Sequence, residues 1–171
     1  FKKDEDVKLN NFALGETQGE KNFNISALTG ASSFNKINNN SRWIKVRSKE
    51  QNTTITEFSK STKVKIITLD ECFFKEKIKH IDLLKIDTQG YEDKVLQGSQ
   101  EILKKEIVYS VESEIMLDDV YEKYFTFNDL EKFLVPNNYW LVGINITNNN
   151  LFSGIVFFAD ILYFNKKKFD I

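Results

Sequence analysis

The sequence contains little of what marks several common classes of protein. Cys72 is the only cysteine among 171 residues, so neither a disulfide framework nor a cluster of thiolate metal ligands can form. The 24 basic and 25 acidic residues leave a net charge of -1, which gives no long-range field to attract nucleic acid or anionic lipid. No apolar run reaches the roughly 18 residues that a transmembrane helix requires. We therefore expect a protein of the reducing cytoplasm with neither nucleic-acid nor membrane partners.

The composition is otherwise that of an ordinary globular domain. Hydrophobic residues make up 41% of the chain and charged residues 29%, close to typical usage. No repeat or linker divides the chain, so we predict a single domain over residues 1–171. The chain opens with Phe1, and its only methionine is Met116. From this we expect the native N terminus to precede Phe1.

The order of the apolar patterns predicts an α/β fold that ends in a hairpin. Polar residues dominate from 26 to 51 and predict a long loop. Alternating or compact apolar runs predict strands at Val7–Phe12, Asn22–Ile25, Lys63–Leu69, Ile81–Ile86, Ile107–Val111, Tyr139–Ile144 and Ile155–Phe164. Helical spacing predicts helices at Glu71–Lys79, Tyr91–Lys105 and Phe127–Leu134, the last of them after a capping box that begins at Thr126.

The strand Ile81–Ile86 is predicted to lie inside a mostly parallel sheet. We expect Ile107–Val111 on one side of it and either Lys63–Leu69 or Val7–Phe12 on the other. The two C-terminal strands, rich in aromatic and β-branched residues, are suited to an antiparallel pair at one edge.

Acidic residues follow two neighbouring strands of this predicted sheet. Asp87 comes directly after Ile81–Ile86, Gly90 and Glu92 lie in the turn and first helical residues beyond it, and Glu112 ends the next strand. Ligands of open α/β sheets bind beyond the carboxyl ends of the strands. The three carboxylates could orient a hydroxyl, accept its proton or hold a divalent cation. The alternatives are structural: Asp87 as a helix cap and Glu92 as a partner of the helix dipole.

Lys85 stands inside the apolar run that precedes Asp87. An unpaired buried charge is costly. A structural ion pair with a neighbouring acid therefore explains this lysine better than a catalytic role does.

The segment Ile81-Asp82-Leu83-Leu84-Lys85-Ile86-Asp87-Thr88-Gln89-Gly90-Tyr91-Glu92, with Val95-Leu96-Gln97-Gly98 after it, resembles the signature of FkbM-type methyltransferases. Further elements agree in order along nearly the whole chain. They are Ala13-Leu14-Gly15, Ser32-Ser33, Thr68-Leu69-Asp70, Glu112 and Asp160.

The resemblance implies a Rossmann-like methyltransferase sheet and transfer of a methyl group from S-adenosylmethionine. The acceptor it implies is a hydroxyl on a small molecule or glycan, such as a sugar or a polyketide-like compound. Asp87 matches the acid that would serve in catalysis and contact the cofactor near the methyl donor, with Glu92 and Glu112 as supporting catalytic acids. Ala13 and Asp70 would lie at the cofactor rim, and a divalent metal is an open possibility.

One departure from the family pattern concerns the cofactor. The family has a glycine-rich turn after its first strand and an acid after its second, and neither is present in this sequence. We therefore expect an N-terminally incomplete domain that binds S-adenosylmethionine poorly by itself and exposes a sheet edge suited to self-association. The alternative is a non-catalytic Rossmann-like binding or assembly domain that has lost the cofactor site.

Overall fold

The structure, a computed structural model, describes residues 6–26, 30–51, 58–146 and 156–169. These residues form two β-sheets, each of which contains both parallel and antiparallel strands. The strands are β1 (Ala13–Leu14), β2 (Gly19–Ser26), β3 (Phe58–Ile67), β4 (Ile81–Ile86), β5 (Val108–Met116), β6 (Tyr139–Asn145) and β7 (Phe158–Asn165). The helices are α1 (Arg42–Gln51), α2 (Leu69–Lys75), α3 (Glu92–Gln97), α4 (Gln100–Lys104) and α5 (Phe127–Leu134).

The first sheet has three strands in the order β1-β3-β2. β2 and β3 are antiparallel, with Gly19 opposite Ile66, while the two residues of β1 run parallel to β3. The predicted strand at 22–25 is part of β2, which pairs with β3. Of the first predicted strand, residues 7–12 have no strand structure.

The second sheet has four strands in the order β4-β5-β7-β6. β4 and β5 are parallel, and the remaining pairs are antiparallel, which confirms the C-terminal antiparallel hairpin. The prediction of a mostly parallel sheet is wrong, because the described strands make two parallel and three antiparallel pairs. Apolar alternation predicts a strand but not the direction of its partner. The Rossmann-like arrangement is not established by these two sheets and stays a prediction.

The predicted central position of β4 is also wrong. Ile107–Val111 overlaps β5 and does flank β4, but the described residues place no strand on the other side. β3, which we predicted there, has both edges occupied by β1 and β2. Among the described strands, β4 is therefore at an edge of its sheet. One of its faces is exposed to solvent, and Leu83 on that face is 51% exposed.

Two predicted segments differ in their helices. The loop predicted at 26–51 contains α1, whose Trp43 and Ile44 are buried although the segment is largely polar. The single helix predicted at 91–105 is broken into α3 and α4 around Gly98. A Cβ at Gly98 would lie 2.1 Å from the carbonyl oxygen of Gly15, so the chain requires glycine at this close backbone contact.

The predicted capping box at Thr126 is confirmed. Its hydroxyl accepts a hydrogen bond from the Asp129 amide, and the Asp129 carboxylate accepts one from the Thr126 amide. α5 thereby starts in register to bury Leu130 and Leu134 against the second sheet. The main core lies between that sheet face and helices α2 to α5. On the opposite face, a second cluster packs Met116 of β5 against Trp43 and Ile44 of α1, while the region around Lys85 and Glu112 is open to solvent.

Candidate active site

The turn after β4 has an unusual backbone that other segments hold in place. Gln89 and Gly90 have φ angles of +56° and +88°, in the left-handed region. The Ser33 hydroxyl donates a hydrogen bond of 2.6 Å to the Gln89 carbonyl, and the Asn35 amide donates to the Gly90 carbonyl. The loop before α1 therefore fixes the turn in which the signature residues lie.

The buried side chain of Glu92 stabilises the same turn by hydrogen bonds to its backbone. Its Oε1 accepts hydrogen bonds from the Thr88 amide at 2.9 Å and the Gly90 amide at 3.2 Å. The side chain is fully buried, and burial raises its pKa although these backbone donors oppose the rise. Its Oε2 has no partner among the described residues. This geometry makes Glu92 a residue that positions the turn.

Asp87 belongs to a hydrogen-bonded network on the outer side of the turn. The Gln89 side-chain amide donates to Asp87 Oδ1 at 2.8 Å and to Glu114 Oε2 at 2.9 Å. The Tyr121 hydroxyl donates to the Gln89 side-chain oxygen at 3.2 Å, which fixes the orientation of that amide. α3 begins at Glu92 with Tyr91 as its N-cap, so Asp87 does not cap the helix.

Glu114 has an altered acidity in this network. Burial is the main cause that raises its pKa to about 8, and the negative charges of Asp87 and Glu92 add to the rise. Lys85 opposes the rise only weakly. Near neutral pH Glu114 is therefore largely protonated beside an exposed Asp87.

A cavity of about 210 Å³ opens next to Asp87. Its walls combine apolar and aromatic residues from the first sheet with the turn after β4. The Phe34 ring lies between those of Phe23 and Tyr91, with centroid distances of 5.0 Å and 4.7 Å. The lining residues are Ala13, Leu14, Phe23, Ser32, Phe34, Asp87, Thr88, Gln89 and Tyr91.

The structure brings two of the five predicted site residues together in this cavity, Ala13 and Asp87. Asp70 lies elsewhere: its carboxylate accepts hydrogen bonds from the Glu101 and Ile102 amides at the start of α4. Such a contact satisfies helix amides that otherwise lack partners. The catalytic and cofactor-binding roles assigned to these residues stay predictions.

Glu112 lies on the open face of the second sheet. It is opposite Lys85 in the parallel pair, and its Oε1 is 2.7 Å from Lys85 Nζ. Asp160 Oδ1 is 2.5 Å from the same ammonium group. These contacts confirm the ion pair predicted for Lys85, and they leave Glu112 outside the cavity beside Asp87.

The sequence analysis missed Gln89, Glu114 and Tyr121. Gln89 was within the signature, but an amide gave no reason to expect a bridge between two carboxylates. Glu114 is two residues after Glu112 on the same strand face, and only the strand register shows which of the two faces Lys85.

Among the described residues, the carboxylates are not arranged as a metal centre. No group of three or more histidine, cysteine, aspartate or glutamate side chains in the described parts of the chain is arranged to hold a metal ion. Nor does any helix in residues 6–26, 30–51, 58–146 and 156–169 have the length and apolar character to cross a membrane.

A cavity at the carboxyl end of a parallel strand pair, with an acid in its wall, is typical of α/β proteins that bind small molecules. The model of the methyltransferase FkbM domain matches residues 1–141. The chain therefore belongs to the FkbM methyltransferase domain family, which confirms the resemblance of the signature around Asp87. Neither a curated protein nor a solved structure matches the chain.

Proposed function

We propose that this domain transfers the methyl group of S-adenosylmethionine to a hydroxyl of a small-molecule or glycan acceptor, with Asp87 as the proton acceptor. The family supports methyl transfer in general. The observation that carries the proposal is the cavity that joins Asp87 to an aromatic wall.

The cavity residues fit the reactive end of the cofactor. A sulfonium cation is stabilised by aromatic faces and by a nearby carboxylate, which Phe34, Tyr91 and Asp87 supply. The volume of about 210 Å³ is below the roughly 300–1,000 Å³ of most small-molecule sites. The described residues would thus hold the sulfonium end, and Ala13 would contact it from β1.

The chemistry requires a base and a fixed alignment. S-adenosylmethionine, when bound, supplies an electrophilic methyl group on a positively charged sulfur. Asp87 would accept the proton of an acceptor hydroxyl aligned with that methyl group, so the proton would end on its carboxylate. Gln89 holds that carboxylate in place, and Glu92 holds the turn from behind.

The test replaces Asp87 in the complete protein. We expect Asp87→Asn to lower methyl transfer by about 100-fold to 10,000-fold, which is the usual worth of a positioned base. Transfer of isotopically labelled methyl groups from S-adenosylmethionine to a panel of sugar hydroxyls measures this loss. Circular dichroism checks that the variant keeps its fold.

Asp82→Asn is the matched control, because Asp82 lies on β4, the strand that leads to Asp87, but its side chain is 82% exposed and lies 3.3 Å from His80. We expect this variant to retain wild-type transfer. Normal turnover in Asp87→Asn would refute the role of Asp87. A complete protein that neither binds S-adenosylmethionine nor transfers methyl groups would favour the non-catalytic binding domain.

A further inference from the structure

A groove of about 630 Å³ lies beside the cavity that contains Asp87. Six of its eight lining residues carry an amide, hydroxyl or ammonium group. Its lining residues are Glu20, Lys21, Asn22, Asn24, Phe34, Lys36, Ser61 and Lys63.

The groove is built on the hairpin of β2 and β3. Asn22 is opposite Lys63 and Asn24 is opposite Ser61, so these four side chains share one face of the sheet. The backbone of Asn24 exchanges two hydrogen bonds with that of Ser33. This pairing fixes the segment that carries Phe34 and Lys36 along the hairpin.

The groove and the cavity share a wall. Phe34 lines both of them. Lys21 lines the groove, and its Nζ donates a hydrogen bond of 3.0 Å to the hydroxyl of Tyr91, a cavity residue. Phe34 and the contact between Lys21 and Tyr91 therefore lie at the boundary between the groove and the cavity.

The groove is positively charged although the protein has a net charge of -1. It contains three lysines and one glutamate. Lys21 Nζ is 4.0 Å from Glu16, which balances part of its charge. Among the described residues, no carboxylate forms a salt bridge with Lys36 or Lys63, so these two ammonium groups are available to an anionic ligand.

We infer that the groove binds an anionic saccharide, with a carboxylate or phosphate of the sugar placed between Lys36 and Lys63. The side chains of Asn22, Asn24 and Ser61 can exchange hydrogen bonds with sugar hydroxyls. The Phe34 ring offers an apolar face at the passage to the cavity. The inference rests on the proposed function in taking this saccharide as the methyl acceptor, whereas binding itself does not depend on methyl transfer.

The experiment measures binding in the absence of any methyl donor, by calorimetry on the complete protein at low ionic strength. The probes are trigalacturonate, glucose 6-phosphate and the neutral trisaccharide maltotriose. We expect at least one charged probe to bind about tenfold more tightly than maltotriose, and the stronger of the two identifies carboxylate or phosphate as the source of charge. Equal affinity for all three probes, or no binding of any, would overturn the inference.

A charge-matched pair of variants locates the binding site. The double variant Lys36→Gln/Lys63→Gln should weaken binding of the preferred charged probe about threefold to tenfold, since an exposed ion pair contributes modestly. The control Lys79→Gln/Lys104→Gln removes two exposed lysines outside the groove and should bind like wild type. Unchanged binding in the first variant, or an equal loss in both, would overturn the inference. Lost methyl transfer with charge-selective binding intact would instead contradict the proposed function alone.

Discussion

Glu112 and Glu114 lie two residues apart on the same face of β5, yet their surroundings differ. Glu112 faces the Lys85 ammonium group at 2.7 Å on the open side of the sheet. Glu114 lies at the turn after β4, where burial and the charges of Asp87 and Glu92 raise its pKa to about 8. The same residue type is thus a structural ion partner in one place and a titratable neighbour of the proposed base in the other.

The difference shows that strand register decides what a carboxylate can do. The parallel pairing places Lys85 opposite Glu112, and it brings Gln89 of the turn after β4 into contact with Glu114. The acid beside the cation is held in an ion pair. An acid beside other acids holds a proton near neutral pH and senses their charge.

The largest expected effect is on stability at high pH. Folding raises the pKa of this carboxyl, so the group stabilises the folded state at pH values below its ordinary pKa of 4.5. This stabilisation is lost as the pH rises towards about 8. We expect Glu114→Gln to reduce that decline and to raise the free energy of unfolding at pH 9 by about 1–3 kcal/mol, allowing for solvent screening.

Urea unfolding at pH 5 and pH 9 measures this change. A smaller decline should remain in the variant, because the pKa of Glu92 is raised as well. Glu112→Gln should keep the whole decline of the wild type. An identical pH dependence in wild type and Glu114→Gln would show that Glu114 does not titrate in this range.

The second effect is on the pH dependence of catalysis. Asp87 raises the pKa of Glu114, so ionisation of Glu114 places a second negative charge beside the carboxylate that we propose as the proton acceptor. We expect kcat/KM for methyl transfer to rise about tenfold as pH increases through 8, which corresponds to ~1.4 kcal/mol of charge interaction. Glu114→Gln should lack this rise and Glu112→Gln should retain it. A rise that survives in Glu114→Gln would assign it to another group.

The smallest effect concerns the open sheet face. We expect Glu112→Gln to lower the free energy of unfolding by less than about 1 kcal/mol, since Lys85 is 40% exposed and still contacts Asp160. Thermal unfolding in low and high salt measures this difference, which should shrink as salt screens the pair. A loss of several kcal/mol would mean that the pair is more shielded from water than its exposure indicates.

Local signals in the sequence predicted much of the frame around the site. The compact run of β4, the glycine after it and the capping box at Thr126 depend on neighbouring residues, and the structure has all three. The ion pair of Lys85 could also be predicted from neighbouring residues, because a charge in an apolar run requires a partner. The signature around Asp87 predicted the family, which is confirmed.

The errors concern contacts between distant segments. Nothing local shows that β3 pairs with β1 and β2 and leaves β4 at an edge of the described sheet. α1 was missed because its burial of Trp43 and Ile44 depends on a second cluster that includes Met116 and Tyr121. Glu114 was missed because the predicted strand ended at Val111, whereas β5 continues to Met116.

The contact between Gly15 and Gly98 sets the width of the proposed site. Gly15 follows the β1 residues Ala13 and Leu14 in the cavity wall, whereas Gly98 lies between the two helices after the Asp87 turn. The two backbones therefore contact each other directly, with no side chain between them. A single methyl group added at Gly98 would push the two backbones apart. The size of the cavity therefore depends on a backbone contact outside its lining residues.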